Sequence, residues 1–226
     1  MHKKEIRELL CAMLIGDGYL RISDSPGHTS GAFWIEHSQD QEDYLLWKKD
    51  QIDSIFKQKG LDKRCRVYSR SRLDKRTQKT YHTSSICLNW RKYFKHLYKW
   101  AYKVNPTSKD IEYLLSQLTT DKHLAIWFMD DVSESRTRSK HINGDAYYKN
   151  PYFRLAIQGY TMGQANLAKQ WFNSRYRVDP NITMQRSGPI LQFSVKDSRL
   201  LFPKIRPYVV QFESMRKKFR ICLERY

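Results

Sequence analysis

Two uncharged runs interrupt an otherwise highly charged chain. Leu10-Cys11-Ala12-Met13-Leu14-Ile15-Gly16-Asp17-Gly18 is echoed by Leu124-Ala125-Ile126-Trp127-Phe128-Met129-Asp130-Asp131-Val132. A solvated surface helix carries polar residues on one face along its whole length. These runs carry charge only at the tip, so each predicts a buried helix ending in a carboxylate. Helix capping does not account for the acids, because Asp favours the N-terminus and the helix dipole opposes it at the C-terminus. A bound cation would compensate for that placement. The small residues Cys11, Ala12 and Gly16 permit close approach of a partner helix, while Leu10, Met13 and Leu14 are free to pack outward.

Around these runs the same order of elements occurs twice. Residues 5–16 predict a helix, and Tyr19–Ser23 and Ala32–His37 predict strands around the turn Asp24-Ser25-Pro26-Gly27. Glu42–Lys59 places Tyr44, Leu45, Trp47, Ile52, Ile55 and Phe56 at helical spacing, and Gly60 stops it. Arg64–Arg72 and Tyr81–Asn89 predict strands flanking a polar loop, followed by helices over Tyr93–Tyr102 and Ile111–Leu118. After the second run come a hairpin over His141–Gln158, a helix over Gly163–Ser174 and a hairpin turning at Ser187-Gly188-Pro189. Helices around Ser198–Tyr208 and Phe212–Leu223 finish the chain. The repeat is clear in element order and weak in residue identity. It predicts an α+β protein duplicated over residues 1–118 and 119–226, with a pseudo-two-fold axis through the apolar helices.

Charge then narrows the partner. The 226 residues carry 41 Lys plus Arg against 23 Asp plus Glu, a formal charge of +18, and that excess costs self-repulsion unless a polyanion relieves it. Nucleic acid is the expected partner. A membrane is not, because the sequence shows no long apolar span, signal peptide or lipidation motif. The four cysteines lack paired zinc spacing, which predicts reduced thiols in an intracellular protein. A strand over Arg64–Arg72 would put Arg64, Arg66, Tyr68, Arg70 and Arg72 on one face, a pattern suited to guanine edges in the major groove. Lys75, Arg76 and Lys79 continue as phosphate contacts. In the second half Arg154, Ala156 and Gln158 alternate with apolar residues, as do Gln192 and Ser194. Arg136, Arg138, Lys140, Arg175, Arg177 and Arg186 add basic contacts. Which of these read bases and which only position the duplex stays open.

The two apolar runs, with Asp17 and Asp131 as their final acids, resemble the paired motifs of the LAGLIDADG homing endonucleases, in particular the monomeric two-motif members encoded in mobile introns. Phe33-Trp34-Ile35-Glu36-His37-Ser38 followed by Tyr44-Leu45-Leu46-Trp47-Lys48 is also similar to the family's strand and following helix. The resemblance spans essentially the whole chain. It implies two α-β-β-α-β-β-α repeats, each with a four-stranded antiparallel sheet forming one wing of a DNA-binding saddle, and motif helices packed at the centre. It also implies a monomer that cuts both strands of a long double-stranded DNA site across the minor groove, leaving short 3′ overhangs.

The resemblance assigns site residues as well. Asp17 and Asp131 would hold divalent metal, Mg2+ with other divalent cations able to substitute, aided by the carbonyls of Gly16 and Asp130. Magnesium takes oxygen ligands and keeps several waters, which suits one aspartate per strand with phosphate oxygens. The Asp130 side chain reads rather as a structural hydrogen-bonding group. Lys109 and Lys218 would be the basic residues near the cleaved phosphates, with Lys217 as rival to Lys218 and a generic DNA-facing charge as the alternative for each. His37 and Gln158, near strand ends, match positions that organise active-site water. Where the first motif has Gly18 the second has Val132, which dislikes the positive φ that glycine accepts, so a shifted second site with nicking or weakened activity is one alternative. Glu134 reads as a loop acid or a group near the metal. A maturase binding host intron RNA through Arg91, Lys92, Lys95 and Lys99 is the other alternative. The place of action would be wherever the host intron's DNA lies: an organelle, a phage-infected cell or a prokaryotic cytoplasm.

Overall fold

In the computed structural model the first apolar run forms the end of helix α1 (His2–Ile15), buried without interruption from Leu9 to Gly16. The structure describes residues 2–25, 28–103, 108–140 and 146–226. Pro26 and Gly27 of the expected first turn, and His141, where the sequence places the start of a hairpin, lie outside the described residues. The chain forms two compact units, Met1–Thr119 and Thr120–Tyr226.

In the first unit α1 leads into strands β1 (Tyr19–Ser25) and β2 (His28–Ser38), helix α2 (Glu42–Gln58), strands β3 (Arg66–Asp74) and β4 (Lys79–Asn89), and helices α3 (Arg91–Ala101) and α4 (Ile111–Ser116). The strands form one antiparallel sheet in the order β1-β2-β4-β3. Strand alternation gives this sheet two unlike faces. Phe33, Ile35, Ile86 and Leu88 face the helices and are buried with Tyr44, Leu45, Ile52 and Phe56 of α2 and Phe94 and Leu97 of α3. Phe33 stacks on Phe94 with centroids 6.1 Å apart, and Phe56 meets the edge of Trp90 at 5.5 Å.

The second unit contains helix α5 (Asp121–Asp131), strands β5 (Val132–Ser135), β6 (Arg138–Lys140), β7 (Ala146–Tyr148) and β8 (Tyr152–Ala156), helix α6 (Met162–Tyr176), strands β9 (Asn181–Gln185) and β10 (Gly188–Gln192), and helices α7 (Val195–Val209), α8 (Glu213–Lys218) and α9 (Arg220–Arg225). Its main sheet has the order β5-β8-β10-β9. With the small β6-β7 hairpin set aside, that is the first unit's topology, and the pairing agrees residue by residue. Tyr19 lies opposite Trp34 as Ser133 lies opposite Arg154, and Leu20 opposite Phe33 as Glu134 opposite Phe153. Phe128, Phe153, Phe172, Phe193 and Phe202 fill the core, with Phe172 and Phe193 edge to face at 4.9 Å.

Three elements differ from the sequence reading. The second unit's sheet begins at Val132, directly from the helix and ahead of the hairpin expected over His141–Gln158, because the β-branched valine enters extended backbone with no turn residue between. The second hairpin turns at Arg186-Ser187, and Gly188 (φ 128°) opens β10. The helix expected over Phe212–Leu223 is broken at Phe219, because the amides of Ile221 and Cys222 donate to the Glu134 carboxylate at 2.9 and 2.7 Å. No described helix is long and apolar enough to cross a membrane.

Candidate active site

In the first unit α1 stops at Ile15, so Gly16 and Asp17 lie in a turn closed by the Gly18 amide donating to the Met13 carbonyl at 2.9 Å. That bond reaches back five residues, one more than in an α-helix. It brings the Gly18 backbone against the helix end, where a Cβ would lie 2.7 Å from the Met13 carbonyl oxygen and 3.1 Å from Phe33 Cε2. Gly18 is not among the residues with positive φ. Space, not φ, requires glycine there, which corrects the expectation drawn from the sequence.

The turn leaves the Asp17 carboxylate 39 % exposed, with the Nδ1 of the buried His37 3.4 Å from its Oδ2. His37 Nδ1 also lies 3.1 Å from Gln41 Oε1. Lys109 donates from Nζ to the Gly16 carbonyl at 2.6 Å. Its backbone is held by the next residue: the Asp110 amide donates to the Ala101 carbonyl at 2.7 Å, and the Asp110 carboxylate caps α4 by accepting from the Tyr113 amide at 3.1 Å.

The second unit builds a similar corner by a different backbone route. Helix α5 runs through Asp131, and Val132 follows in extended conformation (φ −85°, ψ 140°), its amide donating to Phe128 by an ordinary helical bond. Val132 is therefore unstrained. Lys218, at the end of α8, donates from Nζ to the carbonyls of Met129 (2.6 Å) and Asp130 (2.7 Å). Lys217 is 75 % exposed and pairs with Glu213 at 2.8 Å, so of the two rival lysines only Lys218 is brought to the motif helix by these bonds. Glu134 holds the chain just beyond Lys218 through the Ile221 and Cys222 amides, which makes it a structural acid. Burial and the neighbouring Glu134 push the Cys222 thiol well above its usual range.

His37 and Gln158 are not equivalent. From the paired residues Trp34 and Arg154 onward, Ile157 takes the place of His37 and Gln158 that of Ser38. Ile157 is buried like His37, whereas Gln158 is exposed. The shift of one residue puts the two side chains on opposite faces.

Each corner thus offers hard oxygen donors, a carboxylate and backbone carbonyls at a helix C-terminus, which suits a divalent cation of the magnesium, manganese or calcium kind. An ammonium already rests on those carbonyls in both units, as the negative end of the helix dipole favours. A carbonyl oxygen has two lone pairs, so accepting from lysine leaves one for a further ligand.

The open faces of the sheets carry six of the fifteen predicted DNA contacts, and the others lie in loops and turns, on the small hairpin or at the end of α6. Arg66, Tyr68, Arg70 and Arg72 line one face of β3, paired through β4 with Cys87, Ser85, Thr83 and Tyr81. Arg64 precedes the strand, and Lys75 and Arg76 occupy its turn. The residues between the arginines are exposed too, so the outer part of β3 is bare on both faces. In the second unit Arg154 and Gln192 are neighbours on one face, flanked by Ser133 and Asn181. Arg138 and Lys140 are exposed on β6, Arg186 is in the hairpin turn, and the Arg136 guanidinium covers the Tyr148 ring at 3.9 Å. Arg175 and Arg177 end α6, on the helix-covered side of the sheet, with Arg175 over Trp171 and Tyr176. Sequence reasoning missed Trp34, which packs against Tyr68 at 5.6 Å on the open face; its alternation with Phe33 and Ile35 was the available signal. It also missed Lys48, which falls within the apolar stripe of α2.

The sequence profile of the LAGLIDADG DNA endonuclease family matches residues 7–201. Among solved structures, the homing endonuclease I-WcaI bound to its DNA recognition sequence is similar at TM-score 0.68 and 20 % identity, covering 95 % of this chain and 85 % of that one. A variant of I-DmoI in complex with its target DNA in the presence of Mn is similar at 0.55 and 12 %, covering 95 % and 98 %. I-SmaMI bound to an uncleaved DNA target in the presence of calcium ions is similar at 0.54 and 11 %, covering 96 % and 89 %. At these identities the likeness shows the fold. No curated protein sequence matches the chain.

Proposed function

The chain belongs to the LAGLIDADG DNA endonuclease family, and from that premise we propose that it is a site-specific homing endonuclease acting as a single chain on double-stranded DNA. The observation that carries the proposal is the repeated corner: in each unit an aspartate leaves the end of an apolar helix, and a lysine ammonium rests on a carbonyl immediately before that aspartate. Duplex DNA has two strands to cut, and the chain has two such corners.

Asp17 and Asp131 are the residues that would hold divalent metal, with the Gly16 and Asp130 carbonyls as further oxygen donors. Magnesium is the proposed ion; the manganese and calcium reported with the solved relatives favour a divalent cation. Such an ion supplies a water of lowered pKa and stabilises charge on the phosphate and leaving oxygen. The protein does the rest. Lys109 and Lys218 place positive charge beside each aspartate, where the phosphate of the cleaved strand accumulates negative charge. His37 orients Asp17 in the first unit.

Specificity follows from the open faces. The arginines of β3 can pair bidentately with guanine, and Gln192 suits adenine. Arg154 lies opposite Gln192 on the same face, and its guanidinium fork is a second group suited to guanine. The product proposed is a double-strand break with short 3′ overhangs.

The test is cleavage of a plasmid library carrying long randomised duplexes, with Mg2+ or EDTA, followed by end mapping. Cutting at one related set of sequences, abolished by Asp17→Asn or Asp131→Asn with DNA binding retained, is expected. Full double-strand cutting by both variants, or metal-independent cutting, would refute the mechanism.

A further inference from the structure

Lys48 is fully buried in the second turn of α2, a position where lysine is rare and hydrocarbon usual. Its Nζ lies 3.0 Å from His37 Nε2 and 4.3 Å from the centroid of the Tyr44 ring. The opposite ring nitrogen, His37 Nδ1, faces Gln41 Oε1 and Asp17 Oδ2. An ammonium has donors and no acceptor. Nε2 must therefore accept from Lys48, which leaves the imidazole proton on Nδ1, directed at two oxygen acceptors. Without a donor at Nε2 that proton is free to move to Nε2, turning a lone pair of Nδ1 toward the Asp17 carboxylate.

Among the described residues the second unit has no such chain. Counting from the helix N-caps, Gln41 of α2 and Thr161 of α6, the buried positions coincide: Leu45 with Ala165, Lys48 with Ala168, Ile52 with Phe172. Ile157 takes the place of His37. An apolar pair, Ile157 and Ala168, thus stands at the buried positions that His37 and Lys48 hold in the first unit. The duplicated fold closes its core there without a charge, so the fold itself does not require Lys48.

We propose that Lys48 is a positioning residue for strand scission at the Asp17 corner: it fixes the Nδ1–H tautomer of His37, which in turn holds the Asp17 carboxylate. The inference rests on the endonuclease reading above. Because the second unit lacks the pair, Lys48 acts on one strand's cut only. Replacing a buried charge by a well-packed apolar side chain is often neutral or stabilising, so function and stability respond in opposite directions.

The test compares the wild-type chain with Lys48→Met, close in length and free of charge, and with Lys48→Gln, whose amide can still donate to Nε2. Imidazole 15N shifts, assigned with His37→Gln, report the tautomer without metal or DNA. Cleavage of a target duplex labelled on each strand reports the two cuts separately, and thermal melting reports the fold. In Lys48→Met we expect an unchanged or raised melting temperature, loss of the single Nδ1–H form, and a roughly 10- to 100-fold slower cut of one strand, the range for loss of a residue orienting a metal ligand. Lys48→Gln restores the tautomer and part of the rate. Should Lys48→Met not fold, the double variant His37→Ile, Lys48→Ala copies the second unit's packing and is expected to slow the same single strand. Equal slowing of both strands with a lower melting temperature, or an unchanged His37 tautomer, overturns the proposal. If the wild-type chain cuts no duplex, the endonuclease reading fails, and the 15N spectra still decide the tautomer.

Discussion

Gly18→Ala tests how the first aspartate is placed. The alanine Cβ would lie 2.7 Å from the Met13 carbonyl oxygen, 3.0 Å from the carbonyl carbon and 3.1 Å from Phe33 Cε2. Ordinary contact begins near 3.4 Å, so the first gap falls short by about 0.7 Å. Two of the three atoms are backbone at the end of a buried helix, and Phe33 is fully buried, so no flexible side chain can yield. The turn holding Gly16 and Asp17 must move instead, stretching the 2.9 Å bond from Gly18 to Met13.

Overpacking of this kind costs about 1–3 kcal/mol, which in a domain of this size lowers the melting temperature by roughly 2–4 °C per kcal/mol. The functional cost is larger in proportion. A shift of about 1 Å at a reacting group costs on the order of 100-fold, so a displacement of ~0.7 Å should slow the Asp17-dependent cut by about tenfold or more. Strand-resolved cleavage, with melting measured alongside, gives both numbers. Val132→Ala is the control. Val132 is buried in regular extended backbone, so its loss should cost about 2 kcal/mol of packing while the second cut is nearly preserved. If Gly18→Ala cuts both strands at wild-type rates with an unchanged melting temperature, the account of this turn is wrong.

Lys218→Met should slow one strand's cut by at least tenfold, whereas Lys217→Met should change only salt-dependent DNA affinity; equal effects in the two variants would show that the Met129 and Asp130 contacts do not matter. Glu134→Gln should leave one of the two α9 amides poorly matched and loosen the segment that follows Lys218, giving faster amide exchange at Ile221 and Cys222 and a slower second cut. Burial, with help from Lys122 and Arg175, lowers the His123 pKa to about 4 from 6.5. Below pH 6.5 the unfolded chain takes up a proton that the folded one refuses, so stability falls as pH drops from 6.5 to 4 and the loss stops below that. Up to ~3 kcal/mol is involved, and His123→Gln should flatten urea-unfolding stability across that window.

The parts of the fold that depend on local pattern were legible in the sequence. Apolar runs without charge predict buried helices, and period-two arginines predict an exposed strand face. What the sequence hid depends on contacts between distant residues. The break at Phe219 exists because Glu134, far upstream, takes two amides that a continuous helix would use. Lys217 and Lys218 are adjacent, so only the rotation of α8 decides which one reaches the motif helix. His37 and Gln158 both lie near strand ends in the sequence, and the one-residue offset between them emerges only from strand pairing, where Tyr19 opposite Trp34 is the counterpart of Ser133 opposite Arg154.

The differences between the two units show which features a duplicated fold can change and which it keeps. In a symmetric homodimer every substitution appears in both halves, so a change useful in one must be tolerated in the other. A fused chain has no such constraint. Here the turn after the first motif needs glycine and the second accepts valine; His37 and Lys48 stand where Ile157 and Ala168 do. The lysines arrive by unrelated means, Lys109 ahead of α4 under the Asp110 cap and Lys218 at the end of α8 under the Glu134 clamp. Both end with Nζ on a carbonyl next to the motif aspartate, at 2.6 and 2.7 Å. Under the proposed function the same outcome from different supports is expected, because a phosphate responds to where charge stands and not to which loop carries it.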